Sequence, residues 1–230
     1  MARVILLAIL CILPASGQTG WEQDQSAGKA MLEQRRFEEA EPLLRLAIEL
    51  ASGDGREHPE LAGELDLLAR IYLAQMKLAE AEATFKRELA LLEAKHGGEA
   101  LEIVPALNNL GRVIQIDAKR ICEARDLLLR VIAIREARQG PERPDIALDL
   151  IRLGRSHAAE KEYQEAEPLY KAALGLLERP RETQPSGDVY AQTLANYAEL
   201  LQQTGRKVEA AKREARAKGL QKERAAKKRE

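Results

Sequence analysis

Ala40, Ala81, Ala124, Ala166 and Ala210 recur at steps of 41 to 44 residues, and that period limits the fold more than any compositional figure. Each alanine sits in a similar phrase. Phe37-Glu38-Glu39-Ala40-Glu41-Pro42-Leu43-Leu44 returns as Tyr163-Gln164-Glu165-Ala166-Glu167-Pro168-Leu169-Tyr170, with Leu78-Ala79-Glu80-Ala81-Glu82 and Ile121-Cys122-Glu123-Ala124 between them. Lys207-Val208-Glu209-Ala210 is a degraded fifth copy. A fixed period of this length belongs to a stacked array of like units, in which each unit buries its apolar face on its neighbours, and not to a single closed core.

Ahead of each alanine lies a helix whose apolar residues stand three and four apart. Leu65/Leu68/Tyr72, Leu107/Leu110/Ile114, Leu150/Leu153 and Leu194/Tyr197/Leu201 each form one stripe at 3.6 residues per turn. A second helix follows, with stripes Ala40/Leu44/Ala47, Ala81/Phe85/Leu89, Ala124/Leu128/Val131 and Ala166/Tyr170/Ala173. Small residues recur on the first helices at Gly28, Ala69, Gly111, Gly154 and Ala198. Glycine within a helix costs about 1 kcal/mol against alanine, so glycines at matching sites imply close approach of the two helices of a unit.

Turn signals fall where the period requires them, at Ser52-Gly53-Asp54-Gly55, Gly97-Gly98, Gly140-Pro141 and Pro180 to Gly187. Glycine ends one helix and proline prevents its continuation. Pro42 and Pro168 are expected near helix starts, where a missing amide hydrogen is tolerated. No β-alternating run survives this reading, so the class is all-α.

Leu150-x-x-Leu153-Gly154 followed by Ala166-x-x-x-Tyr170-x-x-Ala173 resembles the tetratricopeptide repeat family. The period of about 42 residues, Leu107-Asn108-Asn109-Leu110-Gly111 and Gly140-Pro141-Glu142-Arg143-Pro144-Asp145-Ile146-Ala147 are similar to the lengthened repeats of kinesin light chains and their bacterial relatives. The resemblance implies a right-handed superhelical solenoid of about five helix-turn-helix repeats, at roughly 21–55, 60–98, 103–141, 145–182 and 188–217 within 18–217. It departs at Met31, where an aromatic is usual, at one extra residue in the third internal turn, and at Glu214, where a large apolar residue is expected. The end copies therefore read as caps.

Residues 1–17 stand apart. Arg3 precedes the apolar run Val4 to Leu13, and Pro14-Ala15-Ser16-Gly17 supplies small residues for cleavage. Ten apolar residues suit a secretory signal peptide, whereas a membrane span needs about twenty. The expectation is an exported protein, periplasmic or extracellular, with an uncleaved anchor as the lesser alternative. Leu10 before Cys11 argues against a lipoprotein. Cleavage leaves Cys122 as the sole thiol, so the mature chain holds no internal disulfide, and Cys122 reads as a half-buried small hydrophobe. His58, His96 and His157 lack metal-ligand spacing. No phosphate loop, no activated nucleophile and no isolated carboxylate pair is present, so the sequence implies neither an enzyme nor a cofactor or metal.

Surface chemistry carries the remaining signal. The residues just after the small sites are Lys29, Arg70, Arg112, Arg155 and Glu199. One residue turns a helix by about 100°, so these side chains leave the packing seam and recur on one side of every first helix. In the resembled family that side lines a concave peptide groove, where asparagines matching Asn108, Asn109 and Asn196 bond the ligand backbone. The resemblance thus implies a protein or peptide partner rich in Asp and Glu. Because charged residues make up 32% of the chain, a solvated face stays open as the alternative for the ladder. A structural part of an envelope or secretion assembly, joined through its convex surface or caps, is the alternative function, and an enzyme or regulator with a cryptic site is the lesser one. Arg206 to Glu230 holds eleven Lys or Arg against four Glu in a chain of net charge −1. Residues 218–230 read as a basic tail, solvated or in weak contact with an anionic membrane. Without stacking aromatics it does not suggest nucleic acid.

Overall fold

The structure is a computed structural model and describes residues 30–51, 61–141, 143–178 and 187–227. Residues 1–17, Lys29, Gly28, His58 and most of the Ser52–Pro59 and Pro180–Gly187 loops lie outside the described residues. Those described form helices α1 (Phe37–Ala51), α2 (Ala62–Ala74), α3 (Leu78–His96), α4 (Val104–Ile114), α5 (Ile121–Gln139), α6 (Pro144–Ala159), α7 (Tyr163–Leu177), α8 (Gly187–Gln203) and α9 (Lys207–Lys227), with short 3-10 turns at Leu101–Ile103 and Ala118–Arg120. No strand occurs among them. The even-numbered helices are the first, or A, helices of the repeats, and the odd-numbered ones the second, or B, helices. The chain divides into two compact units, Met1–Leu91 and Leu92–Glu230.

In the first unit α1 packs on α2, burying Ala40, Leu44 and Ile48 on one side and Leu65, Leu68 and Tyr72 on the other, while α3 buries Ala81, Phe85 and Leu89. In the second unit α5 meets α6 through Ile132, Ile146 and Leu153. Further along, Tyr170 and Leu174 of α7 pack with Leu194, Tyr197 and Leu201 of α8 and with Ala210 and Ala217 of α9. The Tyr170 and Tyr197 rings stand 6.3 Å apart at a 36° tilt. Each of these buried residues lies on the 3.6-residue stripe of its helix.

The two glycines expected to mark close approach differ. A Cβ on Gly154 would lie 3.1 Å from the Tyr170 ring, so the absent side chain lets α6 reach α7. At Gly111 the nearest atoms would be 3.9 Å away, ordinary contact that alanine also makes. The glycine reading thus holds at one site and not at the other. Pro42 and Pro168 lie in the second turns of α1 and α7, one turn further in than expected. Each removes one hydrogen bond, to the carbonyl four residues earlier, which is the second residue of its helix. Cys122 is exposed, not half-buried. It lies two residues from the buried Ala124, and about 200° of helix rotation carries it to the opposite side. His96 belongs to the last turn of α3.

Within most repeats, three residues join the helices, and the middle one is left-handed: Arg35 (φ 57°), Met76 (φ 60°), Lys161 (φ 63°) and Gly205 (φ 79°). Only the last is the residue that takes this conformation without steric cost. The extra residue of the third repeat widens its turn to Gln115–Arg120, where the Asp117 side chain accepts the Lys119 amide at 3.0 Å and starts a 3-10 turn. Long B-helix arginines pin the preceding loop: Arg130 Nη2 donates to the Gly98 carbonyl at 2.6 Å and pairs with Glu93, while Arg138 Nε donates to the Glu99 carbonyl at 3.0 Å.

Ion pairs join successive repeats at equivalent places. The fifth residue of a B helix meets the last residue of the next repeat's internal turn. Lys77 Nζ reaches Glu41 Oε2 at 2.7 Å, and Arg206 Nη1 reaches Glu167 Oε1 at 2.7 Å. Between these, Arg125 of α5 reaches Glu162 at 2.6 Å with the signs exchanged. Arg125 is buried and also donates to the Ser156 hydroxyl at 3.0 Å and the Ser156 carbonyl at 2.9 Å.

The array has a visible end at α9. Ile132 and Leu174 are the buried residues that α5 and α7 present to the following repeat, and Ile48 and Leu89 hold the same place in α1 and α3. In α9 that place belongs to the exposed Lys218, and the ion-pair place to Ala211. Both the apolar and the ionic means of holding another repeat are missing there. The helix runs on through Lys227, so the basic residues after Ala217 continue it.

Candidate functional site

The A helices α4, α6 and α8 of the second unit carry most of the singled-out residues. Their polar side is organised around Asp149, which is 1% exposed. Arg135 of α5 approaches Asp149 Oδ2 at 3.1 Å through Nε, as an ion pair without a well-aligned hydrogen bond, and reaches Asp145 at 3.2 Å through Nη1. Arg152, one turn along α6, reaches Asp149 Oδ1 at 3.3 Å and donates from the same Nη1 to Asn108 Oδ1 of α4 at 3.0 Å. Burial pushes the Asp149 carboxyl above its usual range, while the Arg135 and Arg152 guanidiniums pull it back. A buried carboxylate is tolerated when it is paired, and stripping one partner from such a pair costs several kcal/mol. The chain Asp145, Arg135, Asp149, Arg152 and Asn108 therefore fixes α4 against α6 and presents one half-exposed guanidinium beside an amide.

Arg112 of α4 and Arg155 of α6 are exposed, and neither forms an ion pair among the described residues. Asn108 and Asn109 are half-buried on α4. Asn108 accepts from Arg152, so its NH2 is the group it can offer a ligand carbonyl. Asn196 of α8 accepts from Gln192 at 3.0 Å. Next to it in the register, Glu199 takes the place of the ladder arginines. Both Arg155 and Glu199 act on the phenol of Tyr170, which burial pushes up to about 12. Arg70 is in the first unit, exposed and 3.4 Å from Asp66, and Lys29 lies outside the described residues. The structure therefore joins Asn108 to α6 through Arg152 and leaves Arg70 engaged with its own helix. Sequence reasoning did not single out Arg152, although it stands three residues before Arg155 on the same helix face. No group of three His, Cys, Asp or Glu suited to a metal ion occurs among the described residues.

The tetratricopeptide repeat profile matches residues 62–137 and again 102–179, together just over half of the chain. The chain is a tetratricopeptide repeat protein. None of the curated proteins matches its sequence. Among solved structures, BtubC (BKLC) from P. vanneervenii is similar with a TM-score of 0.77 and 21% identity, over 90% of this chain and 80% of that one. A putative kinesin light chain of nearly identical TPR-like repeats from P. anserina gives 0.71 and 20%, over 87% and 94%. The apo form of RapI gives 0.75 and 16%, over 91% and 73%. At these identities the likenesses speak to fold, an all-α repeat solenoid. A tetratricopeptide repeat protein is a protein–protein interaction scaffold, and such repeats are in general binding surfaces, not catalysts.

Proposed function

We propose that this tetratricopeptide repeat protein is an exported scaffold that holds an acidic peptide segment of a protein partner against the A-helix side of its second unit. The observation that carries the reading is the trio Arg112, Arg152 and Arg155 beside Asn108, with Arg152 held in place from below by Asp149. A guanidinium already fixed by a buried carboxylate loses little freedom on meeting a second one, and its planar fork suits both oxygens. Arg112 and Arg155 add field without internal pairing, and the Asn108 NH2 supplies a donor for a peptide carbonyl. Export rests on the apolar run of residues 4–13 behind Arg3.

Fluorescence anisotropy with a labelled peptide rich in Asp and Glu tests the binding reading. Replacing Arg112 and Arg155 together by Ala should weaken binding strongly while far-UV circular dichroism stays unchanged, and rising salt should weaken the wild-type complex. Equal affinity of the double variant and wild type would remove the acidic-peptide reading. Fractionation of producing cells checks export separately. Retention inside the cytoplasm with residues 1–17 intact would overturn that part alone.

A further inference from the structure

The inter-repeat ion pair changes sign along the chain, and its neighbours change with it. At the junction of the first two repeats the acid is on the B helix (Glu41), the base is on the turn (Lys77), and Lys77 Nζ also stands 5.6 Å above the Tyr72 ring. At the junction of the third and fourth repeats the base is on the B helix (Arg125) and the acid on the turn (Glu162). There the position of Tyr72 belongs to His157, whose Nδ1 lies 2.8 Å from Glu162 Oε2. An aromatic face suits a cation, whereas an imidazole suits a carboxylate. At the last junction the first polarity returns with Glu167 and Arg206. Between the first junction and that of the third and fourth repeats three positions have thus been exchanged together, whereas at the last junction Leu201 holds the place of Tyr72 and only the ion pair returns.

We propose that this polarity is a pairing key that sorts the repeats into two classes, so that a turn docks only on a B helix of opposite charge, both within one molecule and between two copies. Glu162 meets attraction only at Arg125. Facing Glu41 or Glu167 of a second copy, it would set carboxylate against carboxylate. Arg125 facing Lys77 or Arg206 of a second copy would set two cations together. The fourth repeat therefore docks on the third and is refused by the B helices of the first and the fourth. Repeat arrays need such discrimination, because similar interfaces allow one copy to lend a repeat to another. Like charges in contact discriminate more strongly than a lost attraction does.

The test uses full-length chains refolded from urea, alone and in pairs, with one partner fluorescently labelled and the products resolved by size-exclusion chromatography. Glu41→Lys and Lys77→Glu each set like charges at an accessible junction and should lower the melting temperature, and the double variant should recover it. Refolded together, the two single variants should form a mixed dimer several-fold above either alone, since the charge reversed in one chain is again opposite to the charge reversed in the other. Arg125→Ala releases Glu162. Co-refolded, it should capture the Glu41→Lys chain and leave wild type, with Glu41, uncaptured. Mixed dimer no more abundant in the matched pairs than in the unmatched ones would overturn the key. So would a Glu41→Lys, Lys77→Glu double variant as unstable as its singles. Arg125 has other bonds, so the Glu41 and Lys77 pair decides the matter even if Arg125→Ala does not fold.

Discussion

Glu88 should make the first unit less stable as pH rises, and its removal should abolish that loss. It occupies the α3 position that corresponds to Val131 and Ala173, both 0% exposed, and is itself 5% exposed. Its Oε2 has no hydrogen-bond partner among the described residues. Burial, with a smaller contribution from Asp66, pushes its carboxyl up to about 8. The unfolded chain has an ordinary glutamate near 4.3. The folded pKa is raised, so the stability associated with the bound proton is fully present below about pH 4 and is lost progressively as pH climbs to about 8. At roughly 1.4 kcal/mol per unit, the loss between pH 5 and pH 8 is about 3.5 kcal/mol. Glu88→Gln keeps the shape and cannot ionise, so its stability minus that of wild type should grow by about that amount across the interval. Urea denaturation of both proteins at pH 5, 6.5 and 8 measures it, and every other titrating group cancels in the difference. Parallel curves, or a Gln variant that is the weaker of the two at pH 8, would refute the reasoning.

Lys161→Gly should raise stability by up to about 1 kcal/mol, because the left-handed turn residue then carries no steric cost; urea midpoints measure it, and a loss would show that the Lys161 side chain matters more than its backbone. Gly154→Ala should destabilise by about 1–3 kcal/mol as its methyl meets the Tyr170 ring, whereas Gly111→Ala should be neutral or stabilising by up to about 1 kcal/mol, a contrast read from paired thermal melts. Lys171 and Arg206 hold the Glu167 carboxyl down to about 2. The folded pKa is depressed, so that stability is present above about pH 4.5 and lost as pH falls toward 2; solvation of both cations reduces it to about 1 kcal/mol, and Glu167→Gln should flatten the acid limb of the fluorescence-monitored transition by that much.

The array was legible because its signals are local and repeated. The stripes through Leu107, Leu110 and Ile114 or through Ala166, Tyr170 and Ala173 follow from helical rotation, and glycines at Gly97 and Gly140 take the positive φ that helix ends favour. The same rotation placed Arg112 and Arg155 on the solvent side. It also put Cys122 opposite Ala124, which a count of helix angle would have revealed. Contacts between residues about forty positions apart were not legible as contacts. Arg152 with Asn108, and Arg125 with Glu162, become neighbours only when repeats stack, although the charge after Ala40, Ala81, Ala124 and Ala166 was visible in the chain. The burial of Glu88 was masked by its abundance of charged neighbours in sequence, and only the register with Val131 and Ala173 marks it as displaced from solvent.

The polar outer side of α9 works as a full stop written in two letters, Ala211 and Lys218. Rewriting them as Glu and Leu, the residues found at those places in α7, would turn the last helix into an acceptor for an appended sixth unit bearing a basic turn. Length in this protein is thus an editable property, set by side chains at its rim and not by any limit in the way its helices stack.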